Sequence, residues 1–359
     1  MKRLSIIIFA LFTLFLLVSK SALVRANFNQ KSEQKSEEKS QGKVDEDAEF
    51  MCTMHPEVRT KTKGKCPKCA MPLVSIYPDV VDDFILQMEA NPLQPKPGEK
   101  LKLRFTVINP KSGKQVQEFA LLHEKLFHVF VVSQDLSQFQ HIHPAFNKDG
   151  SFTIETQLPK PGRYKIYSDF YPLEGSPQVL QKNIATAGYQ ADLFGAKTEI
   201  KVDHSLSKIF SGEKILAENA ENIGVDFAKL QHRELNPLQV EIKIEEGKII
   251  AGRQTTLKYH LTDAKTGEPI HDLSPYLGAW GHTLILSDDQ TDYVHSHPVE
   301  LPPDPFDTEI TNEKLFFGGP NVTFEALFPR EGNYRIWTQF LRGDEIFVVI
   351  FNVRAERLR

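Results

Sequence analysis

The chain is 359 residues long, 40% hydrophobic and 25% charged, with 43 Lys and Arg against 47 Asp and Glu for a net charge of −4. This is the balance of a folded protein; it excludes a mostly disordered chain and leaves no basic surplus to hold a phosphate backbone, which argues against nucleic acid as a partner. At about 100–200 residues per domain the length suggests two or three domains.

Lys2 and Arg3 precede the apolar run Leu4 to Val18, followed by the small residues Ser19, Ser21, Ala22 and Ala26. A charged start, a short apolar stretch and a small-residue exit form a secretory signal over residues 1–26; the run falls short of the roughly 20 residues needed to cross a bilayer. The expected compartment is therefore periplasmic or secreted, with no stable membrane span after cleavage. Residues 27–49 are nearly devoid of apolar side chains and read as a disordered linker, because nothing there offsets the entropy of ordering.

The only three cysteines, Cys52, Cys66 and Cys69, follow within one short segment. An odd, tightly spaced set is a metal site before it is a disulfide framework. Cys66-Pro-Lys-Cys69 brings two sulfurs within reach of one ion, and Cys52 with His55 is spaced as a second half-site, giving a Cys3His set. Met51, Met54 and Met71, three of the five methionines, lie alongside; thioethers beside thiolates favour a soft ion such as Cu(I). A zinc knuckle whose metal only folds the segment is the structural alternative.

The motif Cys52-Thr-Met-His-Pro-Glu-Val-Arg59, then Gly64-Lys-Cys-Pro-Lys-Cys-Ala-Met-Pro-Leu73, closely resembles the small heavy-metal-binding domain found attached to bacterial copper and silver efflux components. The resemblance implies metal contact by Cys52, Met54, His55, Cys66, Cys69 and Met71. Two positions depart from the usual pattern. Thr53 stands where Pro is usual, and Ala70 where Gly is usual, a place where Ala accepts a positive φ less readily. The knuckle is assigned residues 50–78.

Beyond it the chain repeats. A shift of 154 residues aligns Gly98–Pro144 with Gly252–Pro298 without a gap, and among the identical positions are His128/His282, His141/His295 and His143/His297. Half of the twelve histidines thus occupy equivalent places in two units that otherwise differ widely. The register returns, after an insertion rich in Pro and acids between Val299 and Pro320, at Gly162-Arg-Tyr-Lys-Ile-Tyr against Gly332-Asn-Tyr-Arg-Ile-Trp. The units span 82–203 and 236–355. Alternation such as Leu101, Leu103, Phe105, Val107 against Lys102, Arg104, Thr106, with Pro and Gly at short intervals, predicts many short strands. The expected fold is mainly β: two tandem immunoglobulin-like antiparallel β-sandwiches. Residues 204–235, with loosely helical spacing of Ile209, Ile215, Leu216, Ile223, Phe227 and Leu230, are expected to form a helical connector.

In each unit the histidines fall on a predicted hairpin. With the turn centred between Asp135 and Leu136, His128 faces His143 and Phe130 faces His141, so the three imidazoles share one sheet face. The same arithmetic places His282, His295 and His297 on one face. Three imidazoles with no nearby Cys suit Cu(II) or Zn²⁺; imidazoles that hydrogen-bond loop backbone, or that sense pH, are the alternatives. His123, His204, His232, His260 and His271 lack a counterpart in the other unit and read as surface or core. Asp169 follows a strand and could orient a His, but its counterpart is Gln339, so it is not assigned a role. The paired sandwiches are somewhat similar, at the level of fold, to periplasmic copper-resistance modules.

The expected function is capture or hand-on of copper, or of zinc or silver, outside the cytoplasm, without catalysis, linked to metal resistance or homeostasis. A membrane efflux or transport component is the expected protein partner. Two other readings remain: a copper-dependent oxidoreductase using the paired His clusters, and a structural or adhesive protein with a zinc knuckle.

Overall fold

Alternating apolar and polar residues build the strands, and each apolar face then needs a partner sheet. The computed structural model describes residues 49–51, 58–62, 64–67, 73–76, 84–173, 175–190, 200–300, 302 and 317–358, and these are mainly β. The signal segment, nearly all of the linker, Cys52, Met54, His55, Cys69, Met71 and most of the 299–320 insertion lie outside the described residues. Among the described residues no helix is long and apolar enough to cross a membrane.

The first sandwich comprises β1 (Ile85–Asn91), β2 (Lys100–Ile108), β3 (Phe127–Ser133), β4 (Phe139–Ile142), β5 (Phe152–Gln157), β6 (Arg163–Pro172) and β7 (Gln178–Ala185). The second comprises β8 (Leu238–Ile244), β9 (Gln254–Asp263), β10 (His282–Ser287), β11 (Tyr293–Ser296), β12 (Asn321–Leu327), β13 (Gly332–Arg342) and β14 (Glu345–Glu356). One sheet of the first is ordered β1-β2-β5 and the other β7-β6-β3-β4; the second has β8-β9-β12 and β14-β13-β10-β11 in the same succession. All these pairings are antiparallel. A separate small sheet joins Glu49–Met51, Arg59–Thr60 and Val74–Ile76, with Cys66 buried beside it.

Every residue of β3 is buried, as in strands covered on both faces. Phe127, Val129 and Val131 enter the first sandwich's own core, where Phe127 packs against Phe105, Phe152 and Phe170 with ring centroids 5.5, 4.6 and 4.8 Å away. The alternate residues, Phe130 and Val132, enter a separate cluster with Tyr167, Leu284, Leu286 and Trp337. That cluster draws on both sandwiches and forms the seam between their two histidine-bearing sheets. Burying each such side chain is worth about 1.5–3 kcal/mol, so the seam is a core in its own right.

The seam repeats itself crosswise. Lys165 donates to Gln290 O at 2.8 Å, and Arg335, its equivalent, donates to Leu136 O at 2.6 Å. Tyr167 stacks on Tyr293 across the seam at 5.3 Å, and Trp337 stacks on Phe139 at the same distance. Leu136 and Gln290 both hold a positive φ, 59° and 58°.

The connector is not the expected helix. Within 204–235, Ser207–Phe210 pairs with β8 and Glu213–Lys214 with β14, while helix is confined to Ala217–Ala220 and a 3-10 turn at Phe227–Lys229. Gly212 and Gly224 interrupt the apolar spacing, and helices this short are marginal without tertiary support; open sheet edges supplied that support to strands instead. Ile215 and Ala220 still bury, against Tyr276, Leu277 and Leu341.

Candidate metal centre

The hairpin register is the one that the sequence spacing predicts. Phe130 pairs with His141 and Val129 with Ile142 in the first sandwich; Leu284 pairs with His295 and Thr283 with Ser296 in the second. His128 and His141 therefore leave their strands on the seam side, and His143 follows one pleat later.

Three nitrogens converge in the first sandwich. His128 Nδ1 lies 3.1 Å from His141 Nε2 and 3.1 Å from His143 Nε2, and the last two are 3.2 Å apart. The outer nitrogen of each ring meets an oxygen that can only accept. His128 Nε2 donates to Leu122 O at 2.8 Å, His141 Nδ1 to Gln339 Oε1 at 2.8 Å, and His143 Nδ1 to Asn222 O at 3.2 Å. A neutral imidazole carries one proton, so each proton is committed outward and three bare lone pairs face one another. Contacts of this kind are repulsive unless a cation lies between them. An ion about 2.0 Å from each nitrogen would stand about 1 Å off their plane with N–metal–N angles near about 100°, leaving a fourth position open.

The second sandwich repeats two of the three outer contacts. His282 Nε2 donates to Tyr276 O at 2.9 Å and His295 Nδ1 to Asp169 Oδ2 at 3.0 Å. His282 Nδ1, His295 Nε2 and His297 Nε2 are buried without a hydrogen-bond partner among the described residues. The candidate ligand atoms of each triad lie within 4.8 Å of one another. Orphaned buried polar atoms are rare in folded proteins, and three on one spot mark a site.

Burial favours the neutral form of His123, His128, His141, His143, His282 and His297. It pushes His128 down to about 4, with the neighbouring His295 adding to the fall; burial and the other imidazoles push His123, His141, His143, His282 and His297 well below the usual histidine value. Neutral imidazole is the ligating form. Burial works to raise Asp169, but the hydrogen bonds it accepts from His295 and Tyr293 outweigh it and hold the carboxyl below the usual carboxylate value.

A family model described as Domain of unknown function (DUF8832) matches residues 79–187 and 234–357, well over half of the chain. The chain belongs to that family. In this DUF8832 chain, residues 50–76 also match a model described as Heavy metal binding domain, the domain that the cysteine motif resembles. No curated protein matches. Among solved structures, the Escherichia coli adhesin FdeC shares 11% identity over 79% of this chain and 69% of its own, with a TM-score of 0.22. The Yersinia pseudotuberculosis adhesin InvE shares 10% over 76% and 58%, with a TM-score of 0.20. Likenesses at this level say nothing about function.

Three residues of the DUF8832 sandwiches gain roles that their sequence positions did not suggest. Asp169 and Gln339 are equivalent, yet each holds a histidine of the opposite sandwich, Asp169 gripping His295 and Gln339 gripping His141. Tyr293 donates to the same Asp169 oxygen at 3.2 Å. His123 is neither surface nor ordinary core: it stacks on His297 with ring centroids 3.4 Å apart and lies 5.7 Å from both His282 and His295. It sits in a tight turn, at φ 46°, in the first sandwich. Its equivalent in the second, Leu277, is aliphatic, so the repeat carried no sign of it. The remaining unmatched histidines are as expected: His204, His260 and His271 are exposed, and His232 pairs with Asp344 while remaining half-exposed.

The connector completes the first triad. Asn222 O accepts from both the backbone N–H of His143, at 2.7 Å, and its ring. A cavity of about 540 Å³, lined by Glu124, Glu155, Glu218 and Glu221 together with Lys102 and Lys125, reaches His143.

Proposed function

We propose that this protein binds copper or a similar soft ion outside the cytoplasm and captures it or hands it on, with no chemical conversion of a substrate. Two kinds of station serve this role. The cysteine-methionine knuckle takes the reduced ion and passes it to a partner or to the sandwich sites. The histidine triads hold further ions, one for each sandwich. A membrane efflux or transport component is the proposed recipient. The observation that carries the reading is the convergence of three proton-free imidazole nitrogens at 3.1–3.2 Å, each with its proton committed to an outer acceptor. The heavy metal binding domain at residues 50–76 supports it independently.

Metal stoichiometry by mass spectrometry, after loading with Cu(I), Cu(II) and Zn²⁺ in turn, tests the proposal. Near three ions per chain are expected, two of them surviving Cys66→Ser. Near one ion, lost in that variant, would confine metal to the knuckle and overturn the assignment of the triads.

A second reading, a copper-dependent oxidoreductase, is favoured by one observation: the two triads adjoin across the seam, and each leaves a coordination position open. Oxygen uptake by the copper-loaded protein in the presence of a reductant separates it from simple binding.

A further inference from the structure

The geometry points to a single dinuclear metal centre, shared by the two sandwiches and built from both triads, rather than two independent one-ion sites. The inference rests on the triads binding metal, as proposed above, and concerns how the two ions relate.

Rings from opposite triads lie within the longest spacing found inside a triad, the 5.9 Å between His282 and His295, although the tightest pairs within a triad are 4.4–4.8 Å apart. His128 is 5.7 Å from His295, and His141 is 5.8 Å from His282 and 5.9 Å from His295; within the first triad, His128 and His141 are 5.4 Å apart. An ion about 2 Å from an imidazole nitrogen lies about 3.2 Å from that ring's centroid, so the two ions stand no more than about 12 Å apart. His123, from a turn of the first sandwich, fills the space between, stacked on His297 and 5.9 Å from His128.

The support for the ligands is exchanged as well. Gln339 of the second sandwich orients His141 of the first, and Asp169 of the first orients His295 of the second. Each triad thus takes one outer hydrogen-bond partner from the other sandwich, so the seam orients a ring of both sites.

Closeness has an electrostatic consequence. At the outer limit of about 12 Å and an effective dielectric of about 20, two monovalent ions weaken each other's binding by about tenfold, and two divalent ions, with four times the repulsion, by far more. Asp169 is the one carboxylate in contact with a triad ring among the described residues. The centre therefore fills its second place far more readily with a monovalent ion than with a divalent one. With divalent ions it draws in a small oxygen anion such as hydroxide at the open positions.

The test uses the full chain with Cys52, Cys66 and Cys69 all replaced by Ser, loaded with Cu(II) and assayed for bound copper before electron paramagnetic resonance. With two ions bound, the spectrum should depart from twice the one-ion spectrum, either by dipolar broadening with a half-field transition or by loss of integrated intensity. Two bound ions giving a plain superposition of isolated signals would overturn the dinuclear centre while leaving metal binding by the triads intact. Failure to bind copper at the histidines would remove the binding proposal and this inference with it.

Discussion

Replacing Asp169 by Asn removes the carboxylate that holds a ring of the second triad. The carboxylate oxygen is 3.0 Å from His295 Nδ1, and the side chains of the pair are 14% and 5% exposed. Across the ring to an ion on Nε2, the oxygen stands about 7 Å from the metal, where one negative charge stabilises a monovalent ion by about 2 kcal/mol at an effective dielectric of about 20. Loss of a supporting partner of a metal-bound histidine commonly costs about 10- to 100-fold in affinity, which agrees. Asn still accepts the His295 N–H, so the ring keeps its tautomer and place. Competition titration against a Cu(I) chelator, in the chain lacking all three cysteines, should show one of the two sites weakened about 30-fold and the other by clearly less. Gln339→Glu should strengthen the opposite site by a similar factor. Equal weakening of both sites by Asp169→Asn, or no weakening, would refute the assignment of His295 as a ligand supported by that charge.

The metal-free protein should lose stability as pH falls from about 6.5 to about 4. His128 stays neutral in the fold down to about 4, whereas in the unfolded chain it gains a proton near pH 6.5. The unfolded state thus binds more protons in that window, and at pH 5 this one residue costs about 2 kcal/mol. Thermal melts of chelator-treated protein at pH 7.5, 6.5, 5.5 and 4.5 check this; a melting temperature flat down to pH 4.5 would mean that the rings are not held neutral. Gly224→Ala should disturb the first triad, because Gly224 has a φ of 84° and an added Cβ would lie 2.6 Å from Leu277 Cδ2 and 3.1 Å from His143 Nδ1. Destabilisation of about 1–3 kcal/mol is expected, with copper lost from one site of two; full copper content in a stable variant would count against the contact. His123→Ala should weaken the second triad by about tenfold and leave the first unchanged, measured by calorimetric titration; an equal effect on both would mean that His123 acts on the seam as a whole.

Some of this was written in the chain itself. A side-chain period of two is a local property of any strand, so the spacing of His128, His141 and His143 around one turn was enough to put three imidazoles on a common face, and the 154-residue shift carried the same conclusion to His282, His295 and His297. The mainly β character followed from alternation such as Leu101 to Val107, and the heavy-metal-binding segment from a dense local motif. The tertiary structure decided everything that depends on which faces meet. The alternation of Phe127 and His128 between two different cores is invisible in a strand that is apolar throughout. Asp169 was passed over because its counterpart is Gln339, whereas the two equivalent positions hold histidines of opposite triads, and His123 was hidden because the residue matching it is Leu277. The connector went wrong for the same reason, since weak helical spacing yielded to sheet edges supplied by strands far away in sequence. Local periodicity sets which way a side chain points; only the packing of one sandwich on the other sets what it points at.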